Sequence, residues 1–432
     1  MSKRINHNIL TMLFLLLWVL DSSVGDRLFY VGGLGIYYHL LIMSAIIAVG
    51  GLVFLTSPKL GRAQAIIFQG SIMLLPILFP VLWSGIIWIV NLSGGTEIRR
   101  GIVSAGYLVF GILRIAATVY TVGSRTPWVY LCSLITANLI IMFRTIVSNG
   151  LAPFLTQFAE LLSSFAGVTG DIMQAMEIHS ITYGLGAYLV YYLIKRRDFG
   201  RMRFLMLPAL LCYLMGLKRI SVLAVVASII LAGVFIGIRR HSEVCKALLT
   251  ILGICFVIGS LAYVCAVYLG LYDFLESIGF NTNSRAIIYN SYRQYYNLSP
   301  LFLGHGTGWS DDLYRNIAEG LANSTETVKT MPHNDYMKMY MEVGMIGFLV
   351  WCYLKCNLQV KEAFYFLGAR GGVVALALTS YLAITFLTDP TSTQIHVNCA
   401  IAGILMGYRL ELREMWYEKK IKEKNHRLSE LA

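Results

Sequence analysis

The 432 residues are 57% hydrophobic and 13% charged, with a net charge of +12. Several apolar runs match the ~20 helical residues that cross a hydrocarbon core of ~30 Å, which excludes a water-soluble globular domain. The runs are continuous rather than alternating, which excludes a membrane β-barrel, and the basic residues sit between the runs, so the charge does not point to nucleic acid.

What remains is an all-α polytopic membrane protein of about twelve transmembrane helices, because backbone polar groups in lipid must be satisfied within each helix. In chain order the expected spans are 8–24, 34–56, 64–90, 101–123, 127–147, 177–194, 204–217, 220–238, 247–270, 336–354, 372–388 and 393–410. The first lacks a small-x-small cleavage site after Val19-Leu20-Asp21, so it is expected as a retained span rather than a signal peptide. Pro76 and Pro80 predict a kink or tilt in the third. Residues 148–176 are amphipathic and expected along the membrane interface. The chain thus divides into spans 1–9 (1–270), a large polar loop (271–335), spans 10–12 (336–410) and a charged basic tail (411–432). None of the eight cysteines falls in a long outer loop, and no disulfide framework or metal site is expected.

Charge gives the orientation. Of the 35 Lys and Arg, 23 fall on the side of the termini and 10 on the other, with Arg114 and Arg144 inside spans. The positive-inside rule then makes both termini cytoplasmic and places the loop outside. Lys218-Arg219 becomes informative, since a basic pair in a minimal outer turn runs against that bias and suggests an anionic partner at the outer leaflet.

The loop holds the residues suited to chemistry. Asn283 or Ser284 is expected to cap a short helix, on which Arg285, Tyr289, Tyr292, Arg293 and Tyr296 recur at helical spacing. Guanidinium forks suit phosphate oxygens and phenols suit sugars, although the same stripe also fits an interfacial anchor. Gly304-His305-Gly306-Thr307-Gly308 permits a tight turn with close backbone approach to a ligand at Gly304 and Gly306, His305 being a turn residue. Ser310-Asp311-Asp312 and Asn323-Ser324-Thr325 are expected to be mobile. His333, stiffened by Pro332 and followed by Asn334 and Asp335, stands at a span entrance, where a neutral imidazole can accept a hydroxyl proton. Equally, Asn334 and Asp335 can simply cap the helix.

These features carry a resemblance. Gly216-Leu217-Lys218-Arg219-Ile220-Ser221, Ser284-Arg285, Pro300-Leu301-Phe302-Leu303-Gly304-His305-Gly306, and Pro332-His333-Asn334-Asp335-Tyr336 followed by Glu342-Val343-Gly344-Met345-Ile346-Gly347 resemble the O-antigen ligase and Wzy-type polysaccharide polymerase superfamily, mainly over 204–360. The resemblance implies a GT-C-like, metal-independent glycosyltransferase of the bacterial inner membrane, needing no cofactor and acting on an undecaprenyl-diphosphate-linked glycan. It implies His333, Arg285 and Arg219 as catalytic groups, Arg219 being favoured over Lys218 as counterpart of the family's basic residue. Lys218, Arg293, Tyr289, Tyr292, Gly304, Gly306, Asn334 and Asp335 would then contact substrate. A polymerase of repeat units is the leading expectation and a ligase to lipid A core or protein the alternative, with a chain-length regulator and a flippase as partners. A lipid-linked oligosaccharide flippase is a further alternative, disfavoured because the spans carry few charges and show no repeat of the loop.

Overall fold

The computed structural model describes residues 7–23, 35–92, 94–164, 170–195, 200–216, 218–238, 242–282, 284–313 and 332–431. Helices α1 (His7–Ser23), α2 (Gly35–Thr56), α3 (Leu60–Asn91), α4 (Gly95–Val122) and α5 (Thr126–Asn149) are followed by the shorter α6 (Leu151–Ser164) and α7 (Asp171–Met176). Then come α8 (His179–Lys195), α9 (Met206–Met215), α10 (Arg219–Ile238), α11 (Ser242–Tyr268), α12 (Leu271–Ser277), α13 (Arg285–Tyr292), α14 (Asp335–Cys352), α15 (Gln359–Thr385) and α16 (Ile395–Leu431). No strand occurs among the described residues.

Among the described residues six helical stretches are long and apolar enough to cross a membrane, Tyr38–Thr56, Leu60–Asn91, Gly95–Asn149, Arg219–Ile238, Glu243–Tyr268 and Asp335–Thr385. Two of them are compound. Gly95–Asn149 breaks at a 3-10 turn over Gly123–Arg125, and Asp335–Thr385 joins α14 to α15 through a π-helical segment, Tyr353–Leu358. The link expected as a loop at 355–371 is therefore helical, with its break at Gly368, whose φ of 68° and ψ of −175° no helix accommodates.

The first half of α16 is the centre of the bundle. It packs against α8, α4, α3 and α5, and Val397, Cys399, Ala400, Ala402 and Ile404 are fully buried. Around it, α10 lies on α15, α1 on α5, and α2 and α3 on α4. Pro76 and Pro80 sit inside α3 as expected, and the helix continues through both.

The polar contacts separate two ends. At one, Glu411 meets Lys195 at 3.0 Å, and Glu414 meets Arg62 at 3.4 Å and accepts from Ser124 at 2.6 Å. At the other, the Asp335 N–H donates to the Phe386 carbonyl at 3.0 Å, so the Asp335–Thr385 stretch leaves and returns at one face. That face carries the loop.

Candidate active site

His333 sits in the short approach to α14, and the residues after it hold it there. Asn334 has extended backbone and its side chain accepts from the Met337 N–H at 3.1 Å, an N-cap on the first turn. Its amide also donates to the hydroxyls of Tyr263 at 2.7 Å and Tyr289 at 3.4 Å. The Tyr289 hydroxyl donates in turn to the His333 carbonyl at 3.5 Å, while Tyr263 donates to the Leu387 carbonyl at 2.9 Å. Asn334 thus ties α11, α13 and α14 together behind the imidazole. Burial pushes the Tyr289 phenol well up, so it stays protonated and able to donate.

Asp335 points elsewhere. It is 1% exposed, and its carboxylate accepts from the backbone N–H of Ser392 at 2.6 Å and from the Ser392 hydroxyl. It fastens α14 to the turn before α16.

Four charged or titratable side chains act electrostatically on His333. Burial lowers the imidazole below its ordinary value, Asp389 works against this, and His179, Lys218 and Arg285 add to it. These groups come from the entrance of α8, the turn before α10, the start of α13 and the turn after α15. On balance these surroundings favour the neutral imidazole.

The cations differ in how they are compensated. Lys218 pairs with Glu177, which His179 also approaches at 3.2 Å. Burial works to raise the Glu177 carboxyl, but the hydrogen bonds from His179 and Lys218 outweigh it and bring it down to about 2. Arg285 makes one long hydrogen bond, to the Thr282 carbonyl at 3.4 Å, and its Nε is buried without a partner. Asp389 is buried and accepts from Tyr183 at 2.6 Å.

Arg219 is exposed as the first residue of α10 and is not among the main charges acting on His333. Of the basic pair, the structure brings Lys218 to this cluster. The expected aromatic and basic stripe also breaks up, because α13 ends at Tyr292, a 3-10 turn covers Arg293–Tyr295, and Tyr296 is extended with φ of −145°. Tyr289 and Tyr292 are buried, whereas Arg293 is exposed over the Tyr268 ring at 4.9 Å. Ser284 precedes α13 in the left-handed region and makes no side-chain cap; Asn283 lies outside the described residues.

The glycine turn docks on a break in α14. Gly344 has φ of 68° and ψ of −176°, which frees the local backbone to pair with the loop. Met345 N–H donates to the Phe302 carbonyl at 3.0 Å, His305 N–H to Met341 at 3.0 Å and Gly306 N–H to Glu342 at 2.7 Å. A Cβ at Gly304 would stand 2.5 Å from the Glu342 carbonyl oxygen, and one at Gly306 2.3 Å from the Trp88 ring nitrogen. The glycines therefore permit close protein packing at Gly304 and Gly306. His305 fits the turn role: its ring nitrogen contacts the Tyr295 carbonyl at 2.6 Å and the ring stacks on Trp309.

The buried Glu342 carboxylate completes the turn by accepting from the Gly308 N–H and the Ser310 hydroxyl. Asp311 pairs with Lys338 at 2.8 Å and Asp312 with Arg100. Ser310-Asp311-Asp312 is thus pinned on three sides, contrary to the expected mobility, while 323–325 lies outside the described residues.

Glu177, His179, Asp389 and Tyr263 were not anticipated in the site. A signal existed for two of them, since Glu177 and Asp389 are carboxylates at the ends of apolar runs that the charge count places on the loop's side.

No curated protein matches the chain. Residues 204–352, which hold Lys218, Arg285, His333 and the Glu342-to-Gly347 segment, match the family model described as O-Antigen ligase. Over this region the chain is similar to the O-antigen ligase family, in line with the resemblance carried by its motifs.

Proposed function

We propose that the protein is a membrane glycosyltransferase that joins undecaprenyl-diphosphate-linked repeat units into a polysaccharide at the outer leaflet. The observation that carries this reading is the gathering of a neutral imidazole, His333, with Lys218 and Arg285 from three separated segments. In the proposed step an acceptor hydroxyl attacks the anomeric carbon of the donor sugar and gives its proton to His333. The bond from that carbon to the diphosphate oxygen breaks, and the lipid diphosphate leaves with the electron pair. Arg285 and Lys218 stabilise the charge that gathers on it, as preorganised donors do in an oxyanion hole. The donor is already activated by its diphosphate, so the chemistry does not require a metal. Lys218 takes the role expected of Arg219, because it is the member of the pair that acts on His333.

The matched family description supports a second reading, a ligase that passes finished glycan to a separate acceptor. One experiment tests both. Wild type, His333→Ala, Arg285→Ala and Lys218→Ala are expressed at matched membrane levels in a host lacking its own copy, and lipid-linked and surface glycan are resolved on a gel. A ladder from wild type, with single repeat units on the carrier from each variant, is the result expected of a polymerase. Long chains accumulating on the carrier in the variants would identify a ligase. Full ladders from all three variants would overturn the site.

A further inference from the structure

At the far end of the bundle, about 21 Å along α16 from Ile395 at the helical rise, lies a second group of cations, Arg409 and Arg413, with no ion-pair partner among the described residues. Arg409 lies against a pair of packed rings, Phe68 on α3 and Phe366 on α15, whose centroids are 4.2 Å apart and 4.8 and 4.9 Å from its guanidinium carbon. The rings offer cation–π contact but no acceptor for the guanidinium N–H groups, which need one in their plane. One of them, Nη1, is buried and has no hydrogen-bond partner.

The charge acting on Arg409 is a second cation, Arg413, one helical turn along. Like charges at this spacing repel. Arg413 is fixed in place: it donates to the Gly61 carbonyl and reaches the Tyr417 hydroxyl at 3.3 Å. A Cβ at Gly61 would lie 2.2 Å from Arg413 Nη2, so glycine at this position makes room for the second guanidinium. The nearby acid, Glu414, is taken up by Arg62 and Ser124. Gln64, Ala65, Phe68, Phe366, Leu412 and the two arginines line one open groove.

We propose that this groove binds the phosphate of an anionic phospholipid, from the leaflet at the end of the bundle that carries the 411–414 segment. Two guanidiniums with a buried, unpaired donor fit a phosphodiester, and the phenylalanine rings and Leu412 offer an apolar wall to the glycerol and upper acyl chains. The lipid offsets the repulsion between Arg409 and Arg413 and staples α3, α15 and α16 together. The site is remote from His333 and independent of the function proposed above.

The test uses the full-length protein in a neutral detergent, with native mass spectrometry for bound lipid and thermal unfolding for stability. The probes are phosphatidylglycerol, phosphatidylcholine and inorganic phosphate. Phosphatidylglycerol should remain bound and raise the melting temperature by several degrees, while phosphatidylcholine and inorganic phosphate leave it unchanged. Arg409→Gln should weaken phosphatidylglycerol retention about tenfold, the worth of one charge-assisted hydrogen bond. Arg409→Lys keeps the charge but loses the planar fork, and should fall between. Lys419→Gln, on the exposed tail, should behave as wild type. A shift with inorganic phosphate equal to that with phosphatidylglycerol would overturn the lipid assignment in favour of a free-anion site. Undiminished retention in Arg409→Gln, or equal loss in Lys419→Gln, would overturn the site.

Discussion

Gly344 and Gly368 form a natural pair for testing how the loop is seated. They share one backbone conformation, φ 68° with ψ −176° and −175°, a region that is essentially glycine's own. An alanine in either position incurs that strain, ~1–3 kcal/mol. Their surroundings differ. A Cβ at Gly368 meets nothing within 4 Å, whereas one at Gly344 would lie 2.1 Å from the Phe302 carbonyl oxygen and 2.3 Å from the Leu303 carbonyl carbon. The contacting atoms are backbone, so the turn must lift away, and with it go the hydrogen bonds from Met345, His305 and Gly306. At ~0.5–1.5 kcal/mol each, these bonds should make Gly344→Ala more destabilising than Gly368→Ala by ~2–4 kcal/mol. The assay is unfolding of the two purified variants in detergent, followed by limited proteolysis of the 296–313 segment. Gly344→Ala should unfold at clearly lower temperature and be cut there, while Gly368→Ala is not cut. Equal destabilisation of the two, with the segment protected in both, would refute the argument that Gly344 seats the turn.

Activity against pH should show an acidic limb below the ~6.5 of an ordinary histidine, because burial lowers His333 and a general base works only when deprotonated. Lys218→Gln and Arg285→Gln each remove a cation that favours the neutral ring, so the limb should move up in pH, whereas Asp389→Asn should move it down; rates of glycan transfer in membranes across pH check this. Arg285→Lys keeps the charge but not the buried Nε donor, and should lose much of the rate in the same transfer assay, while Lys218→Arg keeps most of it. Asn334→Ala should cost ~1 kcal/mol as a lost cap and leave the Tyr263 and Tyr289 hydroxyls without its amide, which unfolding and transfer rate together would register. Within the bundle, Arg114 and Asp21 form an ion pair in which both side chains are 0% exposed. Arg114→Met alone should destabilise by ~3–5 kcal/mol, and the double variant with Asp21→Leu should recover most of the loss, since the penalty comes from the stranded charge.

The sequence made the helices readable because each apolar run must form its own hydrogen bonds, and α1 to α5 and α8 to α11 lie where hydropathy places them. Hydropathy could not reveal that 355–371 is helical, because the segment's charges suggested a loop while Lys355 is in fact buried and donates to Asn398 at 3.2 Å. The site was readable in part for a related reason. His333, Asn334 and Arg285 stand out in an apolar chain, and the cap at Asn334 is a local rule that short-range sequence carries. The partners of His333 are not local. His179 and Asp389 lie on either side of it in sequence by long intervals, and only the packing of the bundle brings their charge into play.

The same limit explains why Arg219 was preferred over Lys218. Adjacent residues at a helix start point in different directions, and spacing alone cannot tell which faces inward. Glu177 orients Lys218, because its carboxylate holds the lysine by an ion pair on the side where His179 also stands. A lysine so tied is oriented, but part of its charge is already answered. Arg285, with its buried donor unpaired, is the cation whose hydrogen-bonding capacity is still open to an incoming phosphate oxygen. In the proposed mechanism both cations would stabilise the leaving group, with Lys218 also favouring the neutral imidazole and Arg285 offering the open hydrogen-bond donor.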